Sequence, residues 1–218
     1  NCAVLKPSEL TPNTSQLLAK IFAANFPREF IAVVEGGVTE TTELVALEFD
    51  HIFFTGSTPV GRIIMQAAAK NLVPITLELG GKSPTIVTAD ANLDLAARRI
   101  VWGKFYNAGQ TCVAPDYLYV EESVAAPLLE KIRSQVVAQF GEDQEKSESL
   151  GRIVNTRNHA RLVKMISPEN IFFGGGHDES QLYIQPTILK DIAWDAPVMR
   201  EEIFGPILPV LTFVKLDD

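Results

Sequence analysis

The residue types best suited to covalent chemistry in this chain are Cys112 and Glu78. Cys112 lies in the stretch Asn107-Ala-Gly-Gln-Thr-Cys-Val-Ala-Pro115. A lone Cys is usually a small buried hydrophobe. Here Ala108-Gly109 and Ala114-Pro115 punctuate the chain on both sides, which predicts a helix ending before the thiol and a strand starting after it. A thiol at such a junction is held on a rigid scaffold yet can be reached, the combination a nucleophile needs. Glu78 closes an apolar run and meets Gly80-Gly81. It reads either as a strand-end carboxylate facing water or as a partly desolvated one. In the second case it sits at the carboxyl end of a parallel strand, where open α/β sheets bind ligands. Desolvation there would make it a usable general base.

Three further stretches could hold a ligand. In Phe53-Phe-Thr-Gly-Ser-Thr-Pro-Val-Gly61 a strand runs through Gly56-Ser57 into a helix. Backbone N–H groups and the Ser57 hydroxyl at a helix N-terminus suit a phosphate. A plain N-cap is the other reading, and the stretch lacks the Gly-x-Gly-x-x-Gly fingerprint of dinucleotide sites. Lys6 and Glu9 follow the apolar Val4-Leu5 and read as a solvated ion pair or as partners for the hydroxyls of a sugar. Glu201-Glu-Ile-Phe-Gly-Pro206 sets two acids before an aromatic and a tight turn; a helix end stopped by Pro is the plain alternative. His51, His159 and His177 have no metal-binding spacing, so neither a metal centre nor a Cys–His hydrolase draws support from them.

These residues need elements to position them. Helices are expected at Ser15–Phe26, Thr39–Leu47, Pro59–Lys70, Leu93–Tyr106, Ser123–Phe140 and Thr156–Ile166. Strands buried on both faces are expected at Phe30–Val34 and His51–Phe54, with others at Pro74–Glu78, Pro84–Val87, Tyr117–Val120, Ile171–Phe173, Leu182–Leu189 and Ile207–Phe213. Gly141–Ser149 reads as a charged, exposed loop, and Pro186, Pro197, Pro206 and Pro209 as turns or edges. Strand and helix alternate, so the fold class is α/β with a parallel sheet. The rhythm breaks at Gly80-Gly81, which sets the expected domains at 1–80 and 81–218.

The chain has 218 residues, enough for one large or two modest α/β domains. It carries 19 Lys and Arg against 27 Asp and Glu, a net charge of −8, with the basic residues scattered. Nucleic acid is therefore not expected as a partner. No apolar run reaches a membrane span and no signal peptide opens the chain. Two cysteines, Cys2 and Cys112, make no disulfide framework, and a reducing cytoplasm fits.

Taken together, the stretches Lys6-Pro-Ser-Glu9, Phe54-Thr-Gly-Ser57 with Gly61, Leu77-Glu-Leu-Gly-Gly-Lys82, Asn107-Ala-Gly-Gln-Thr-Cys112 and Glu201-Glu-Ile-Phe-Gly-Pro206 resemble the NAD(P)-dependent aldehyde dehydrogenase superfamily, in order and in spacing. Ala-Pro-Asp-Tyr117 after the Cys is similar to the class 3 branch, which takes fatty and aromatic aldehydes.

The resemblance implies an aldehyde dehydrogenase-like fold, with a truncated Rossmann-type NAD(P)-binding domain over 1–80 and an α/β catalytic domain over 81–218. It implies oxidation of an aldehyde to an acid, with Cys112 as the nucleophile that carries a thiohemiacetal and then a thioester. Glu78 would be the base for the thiol, the water or both. Ser57 would bind the pyrophosphate, Lys6 and Glu9 the adenosine ribose, and Glu202 and Phe204 the nicotinamide ribose and ring. Gly56, Gly61, Leu79 and Gly80 complete the implied cofactor-binding set. NAD is the expected cofactor because Glu9 repels a 2′-phosphate, and Lys6 leaves NADP open.

A coenzyme A or phosphate acceptor, or a Cys thioesterase without nicotinamide, are the rival readings; Glu78 favours water and Ser57 favours a dinucleotide. The family's oxyanion-hole Asn precedes the Lys of Lys-Pro-Ser-Glu by more than this chain provides. The chain is therefore expected to be a central piece of such an enzyme, incomplete at both ends, weak or inactive alone, and part of a homo-oligomer when whole.

Overall fold

The computed structural model describes residues 1–216. The chain divides into two compact units, Asn1–Gly80 and a second beginning at Gly81. The first unit is a pair of strand–helix–strand crossovers. Strand β1 (Ala3–Leu5) lies parallel to β2 (Ile31–Val33), joined through helix α1 (Pro12–Asn25). Helix α2 (Val38–Val45) then leads to β3 (Ile52–Thr55), which lies parallel to β4 (Ile75–Glu78) across α3 (Thr58–Lys70). Both pairs are parallel, as a crossover helix requires.

The expectation that the strands near Phe30 and His51 are buried on both faces does not hold in this unit. Helix α3 buries Ile64 and Ala68, while Phe53 is 66% exposed and Phe30 lies outside its strand on the surface. Side chains alternate across a strand, so a helix on one face leaves Phe53 on the other in solvent.

In the second unit, β5 (Pro84–Val87) and helix α4 (Leu93–Phe105) are followed by β6 (Tyr117–Glu121) and the long helix α5 (Glu122–Phe140). Helix α6 (Thr156–Val163) precedes β7 (Ile171–Phe173), the short pair β8 (His177–Asp178) and β9 (Tyr183–Ile184), β10 (Thr187–Leu189) and β11 (Ile207–Phe213). The five-stranded sheet runs β5-β6-β11-β10-β7, parallel throughout except that β7 is antiparallel to β10. The last strand among the described residues is thus the middle one of this sheet.

Strand β11 divides the core by alternation. Leu208 and Val210 face the cluster built on α4 and α5, with Ile100, Val101, Leu128 and Ile132. Ile207 and Leu211 face the opposite cluster, with Leu162 of α6 and with Val198 and Ile203. Helices and a packed loop on both faces of a mostly parallel sheet explain why its middle strand is apolar on both sides.

Three sequence expectations are corrected in this unit. The run Leu182–Leu189 is two strands in two different sheets, because Gln185-Pro186 interrupts it. Pro209 marks neither an edge nor a turn; it lies inside the middle strand. Its neighbours explain the placement: β10 pairs as far as Leu189 opposite Pro209, and β6 begins opposite Val210. The residue without an N–H sits where one ladder hands over to the next. The Gly141–Ser149 stretch is not wholly exposed, since Gln144 is buried with its amide donating to the carbonyl oxygen of Glu142 at 3.0 Å.

No helix among the described residues is long and apolar enough to cross a membrane. Truncating Leu208 to Ala removes a fully buried side chain from the middle of the sheet. Urea unfolding of the variant is expected to show a loss of about 2–5 kcal/mol.

Candidate active site

The thiol of Cys112 is free and exposed. Helix α4 ends at Phe105, a short 3-10 turn covers Tyr106–Gly109, and β6 starts at Tyr117, so the thiol stands in the expected helix-to-strand junction. The junction is unusual in its backbone. Asn107, Ala108 and Gly109 take three successive left-handed conformations, with φ of 50°, 53° and 74°. Left-handed backbone costs an L-residue roughly 1–2 kcal/mol, so the surroundings must impose it.

They do so in two ways. The Gln110 side chain bolts the turn to a neighbouring segment: Nε2 donates to the Arg152 carbonyl at 3.0 Å, and Oε1 accepts from the Val154 N–H at 2.9 Å. Gly109 lies so close to the segment after Glu202 that a Cβ there would stand 2.3 Å from the Gly205 carbonyl oxygen. Only glycine fits that approach at that φ.

The Glu201–Pro206 segment is equally constrained. Phe204 also has a left-handed backbone, φ 50°, and is 40% exposed. Arg161 Nη2 donates to the Ile203 carbonyl at 2.7 Å, and Nη1 to the Glu202 carbonyl at 3.3 Å. Burial pushes the Glu202 carboxyl above its ordinary range; the Gly81 N–H opposes this, Asp116 adds to it, and Arg161 and Lys82 oppose it again.

In the first unit, Glu78 ends β4 and is exposed, which matches the water-facing reading rather than the desolvated one. Thr55 pairs with Glu78, and the Gly56 N–H donates to the Glu78 carbonyl at 3.0 Å. The Gly56-Ser57 turn and Glu78 therefore share the carboxyl end of the β3–β4 pair. Ser57 is the N-cap of α3, yet its hydroxyl makes no capping bond and is exposed. A Cβ on Gly61 would stand 2.8 Å from Leu79 Cδ2, so this glycine lets α3 close onto the end of β4. Leu79 is half-buried there and Gly80 is exposed. Lys6 Nζ donates to the Gly36 carbonyl at 3.0 Å and pairs with Glu9 at 3.4 Å, just past the carboxyl end of β1. Among the described residues, no group of three or more His, Cys, Asp and Glu side chains could hold a metal.

Two buried charges, Lys104 and Asp116, belong to the second unit's site and were not singled out from the sequence. Lys104 is 1% exposed on α4, and burial pushes its ammonium down to about 8, against partial support from Asp116 and Glu202 and further opposition from Lys82. Its sequence signal was present. Ala97, Ile100, Val101, Lys104 and Phe105 follow the i, i+3, i+4, i+7, i+8 spacing of one helix face, so the Lys lies in an apolar stripe. Asp116 had no local signal, since its partners are far away in sequence.

Cys112 is thus an exposed thiol that follows a strained turn, packed at Gly109 against the acid–aromatic segment, an arrangement suited to covalent chemistry. The whole chain, residues 1–218, matches the aldehyde dehydrogenase family, and the protein belongs to it.

Among curated relatives, 4,4'-diaponeurosporen-aldehyde dehydrogenase of Staphylococcus aureus is 49% identical over all of this chain and 48% of its own length. The dimeric NADP-preferring aldehyde dehydrogenase of Mus musculus is 47% identical over all of this chain and 48% of its own length. The chain thus spans about half the length of the curated relatives it matches. The substrate-bound structure of Staphylococcus aureus AldH superposes with a TM-score of 0.95 at 48% identity, covering all of this chain and 48% of that one. The Mycobacterium tuberculosis aldehyde dehydrogenase complexed with NAD+ gives 0.89 at 32%, over all of this chain and 47% of that one.

Lys104 generates a pH prediction. Its folded-state value lies below that of a free Lys, so the unfolded chain binds more protons between about pH 8 and 10.5. The cost of burying the ammonium is fully present below pH 8 and is relieved as pH rises through that window. Urea unfolding is expected to show a gain on the order of 3 kcal/mol from this group over the window, lost in Lys104→Met.

Proposed function

We propose that the protein oxidises aldehydes to carboxylic acids with NAD(P)+, through covalent catalysis at Cys112. The observation that supports this most directly is the exposed thiol on a turn whose left-handed backbone is imposed by Gly205 and Gln110. Strain of this kind clusters at functional sites. As a thiolate, Cys112 adds to the aldehyde carbonyl to give a thiohemiacetal. The turn's backbone N–H at Cys112 is the donor this chain offers to the resulting oxyanion.

The residues of the first unit fit a dinucleotide. The uncommitted Ser57 hydroxyl stands at the N-terminus of a 13-residue helix, at the carboxyl end of a parallel strand. Lys6 and Glu9 stand past β1 as an ion pair with the Glu9 carboxylate exposed, where the two would meet a sugar's hydroxyls. When bound, the dinucleotide supplies the acceptor for the hydride whose loss turns the thiohemiacetal on Cys112 into a thioester. Ser57, with Gly56 at its side, would hold the pyrophosphate, and Glu202 and Phe204 would hold the nicotinamide riboside. The family resemblance, and not its exposed position, assigns Glu78 as the base that would take the proton from the water attacking the thioester, with release of the acid and the Cys112 thiolate.

Glu9 disfavours a 2′-phosphate by charge, and the Lys6 ammonium beside it offsets that repulsion, so both NAD and NADP are accommodated. The dimeric relative supports a homo-oligomer. Free cysteines without a disulfide support a reducing, cytoplasmic setting.

The whole protein is expected to form NAD(P)H with an aromatic or medium-chain aldehyde, followed by absorbance. Cys112→Ala is expected to lower turnover by more than about 1000-fold, and Glu78→Gln by roughly 100-fold. Formation of NAD(P)H at the parent rate by Cys112→Ala would overturn the covalent mechanism.

A further inference from the structure

Asp116 is 3% exposed, and both of its oxygens are engaged. Oδ1 accepts from the Ile203 N–H at 2.9 Å. Oδ2 is paired with the Lys82 ammonium. Lys82 Nζ also donates to the Glu201 carbonyl at 2.9 Å and reaches the Val198 carbonyl at 3.4 Å. The Asp116 N–H donates in turn to the Ser83 carbonyl at 2.8 Å, which ties the two acid–base partners' backbones together. One carboxylate, four residues after Cys112, therefore holds the Glu201–Ile203 backbone at two points: directly, and through Lys82. The next residue, Phe204, is the one with the left-handed backbone.

An ion pair whose carboxylate is buried and whose ammonium is partly exposed adds little stability over an apolar replacement, which directs attention to the arrangement it enforces. Here the arrangement is that of Glu202 and Phe204 beside the thiol turn. Arg161 grips the same segment through the carbonyls of Glu202 and Ile203, but leaves the Ile203 N–H and the Glu201 carbonyl to the Asp116–Lys82 pair. The two grips are thus complementary and not redundant.

We propose that Asp116, acting through Lys82 and the Ile203 N–H, is a positioning residue that sets Glu202 and Phe204 for the nicotinamide riboside end of the dinucleotide. The inference rests on the dehydrogenase reading. Asp116 touches neither substrate nor cofactor; it acts on them through the segment it holds.

The test uses the whole protein and three variants. Asp116→Asn keeps an acceptor for the Ile203 N–H but drops the charge facing Lys82. Asp116→Ala drops both, and Lys82→Met removes the ammonium while leaving the acceptor. The readouts are the KM for NAD(P)+, kcat, the rate at which iodoacetamide alkylates Cys112 without cofactor, and the urea midpoint. Asp116→Asn and Lys82→Met are each expected to raise the KM for NAD(P)+ about tenfold, the scale of one lost charge-assisted hydrogen bond. Alkylation of Cys112 is expected to stay within about twofold, since the thiol turn is held separately by Gln110 and Gly109.

A KM for NAD(P)+ within about twofold of the parent in both variants overturns the inference. So does a loss of kcat that only tracks the loss of folded protein, or a change in alkylation as large as the change in KM. If Asp116→Ala does not fold, the other two variants carry the test. An active parent with unchanged variants sinks this inference alone, whereas a parent that makes no NAD(P)H from any aldehyde sinks the reading beneath it as well.

Discussion

The approach of Gly109 to the Gly205 carbonyl is the constraint on which the second unit's site depends. No side chain fits between the two backbones. The contact brings the turn that precedes Cys112 against the segment that carries Glu202 and Phe204, and both stretches hold left-handed backbone at non-glycine residues. Strain at Asn107, Ala108 and Phe204 is kept in place by hydrogen bonds that leave little freedom to relax: Gln110 on one side, Arg161 on the other. The thiol is exposed, while Gly109 and Gln110 just before it are tied to neighbouring segments.

Electrostatics completes the fixation. Buried Lys104 and Asp116, with the partly buried Lys82 and Glu202, make a set of two cations and two anions that act on one another. Each charge raises the cost of losing its opposite. Lys104 is tolerated in an apolar helix face because Asp116 and Glu202 act on it across the core. Glu202 in turn is held between burial and the Asp116 charge, which push its carboxyl up, and Gly81, Arg161 and Lys82, which pull it down. A carboxylate poised this way responds to small movements of its neighbours.

Much of this was legible before any coordinates. The α/β rhythm, the helix-to-strand junction at Cys112 and the strand end at Glu78 all follow from local patterns of apolar residues, Gly and Pro. The ordered motifs pointed to the family, and the family match over the whole chain agrees. What escaped was non-local. Asp116 is buried because of Ile203, 87 residues away, and nothing near it in sequence reports that partner. Gln110 reads as a polar loop residue until Arg152 and Val154 are folded against it. Pro209 reads as an edge because a middle strand normally excludes Pro; the gap between two ladders that admits it exists only in the assembled sheet. Phe53 reads as core because an apolar run does not say whether both faces are covered.

The order of strands in the second unit has a kinetic meaning. The sheet's middle strand, β11, follows its four sheet partners in sequence, yet among the described strands it alone joins β5-β6 to β10-β7. Until Phe213 has emerged, the chain holds two half-sheets, each with an open parallel edge and an apolar face awaiting Ile207–Leu211. Long-range parallel pairing of this kind is slow, and open edges invite pairing with other chains. The interval between completing β10 at Leu189 and docking β11 from Ile207 therefore leaves these edges open to aggregation, and the long connection between the two strands extends it.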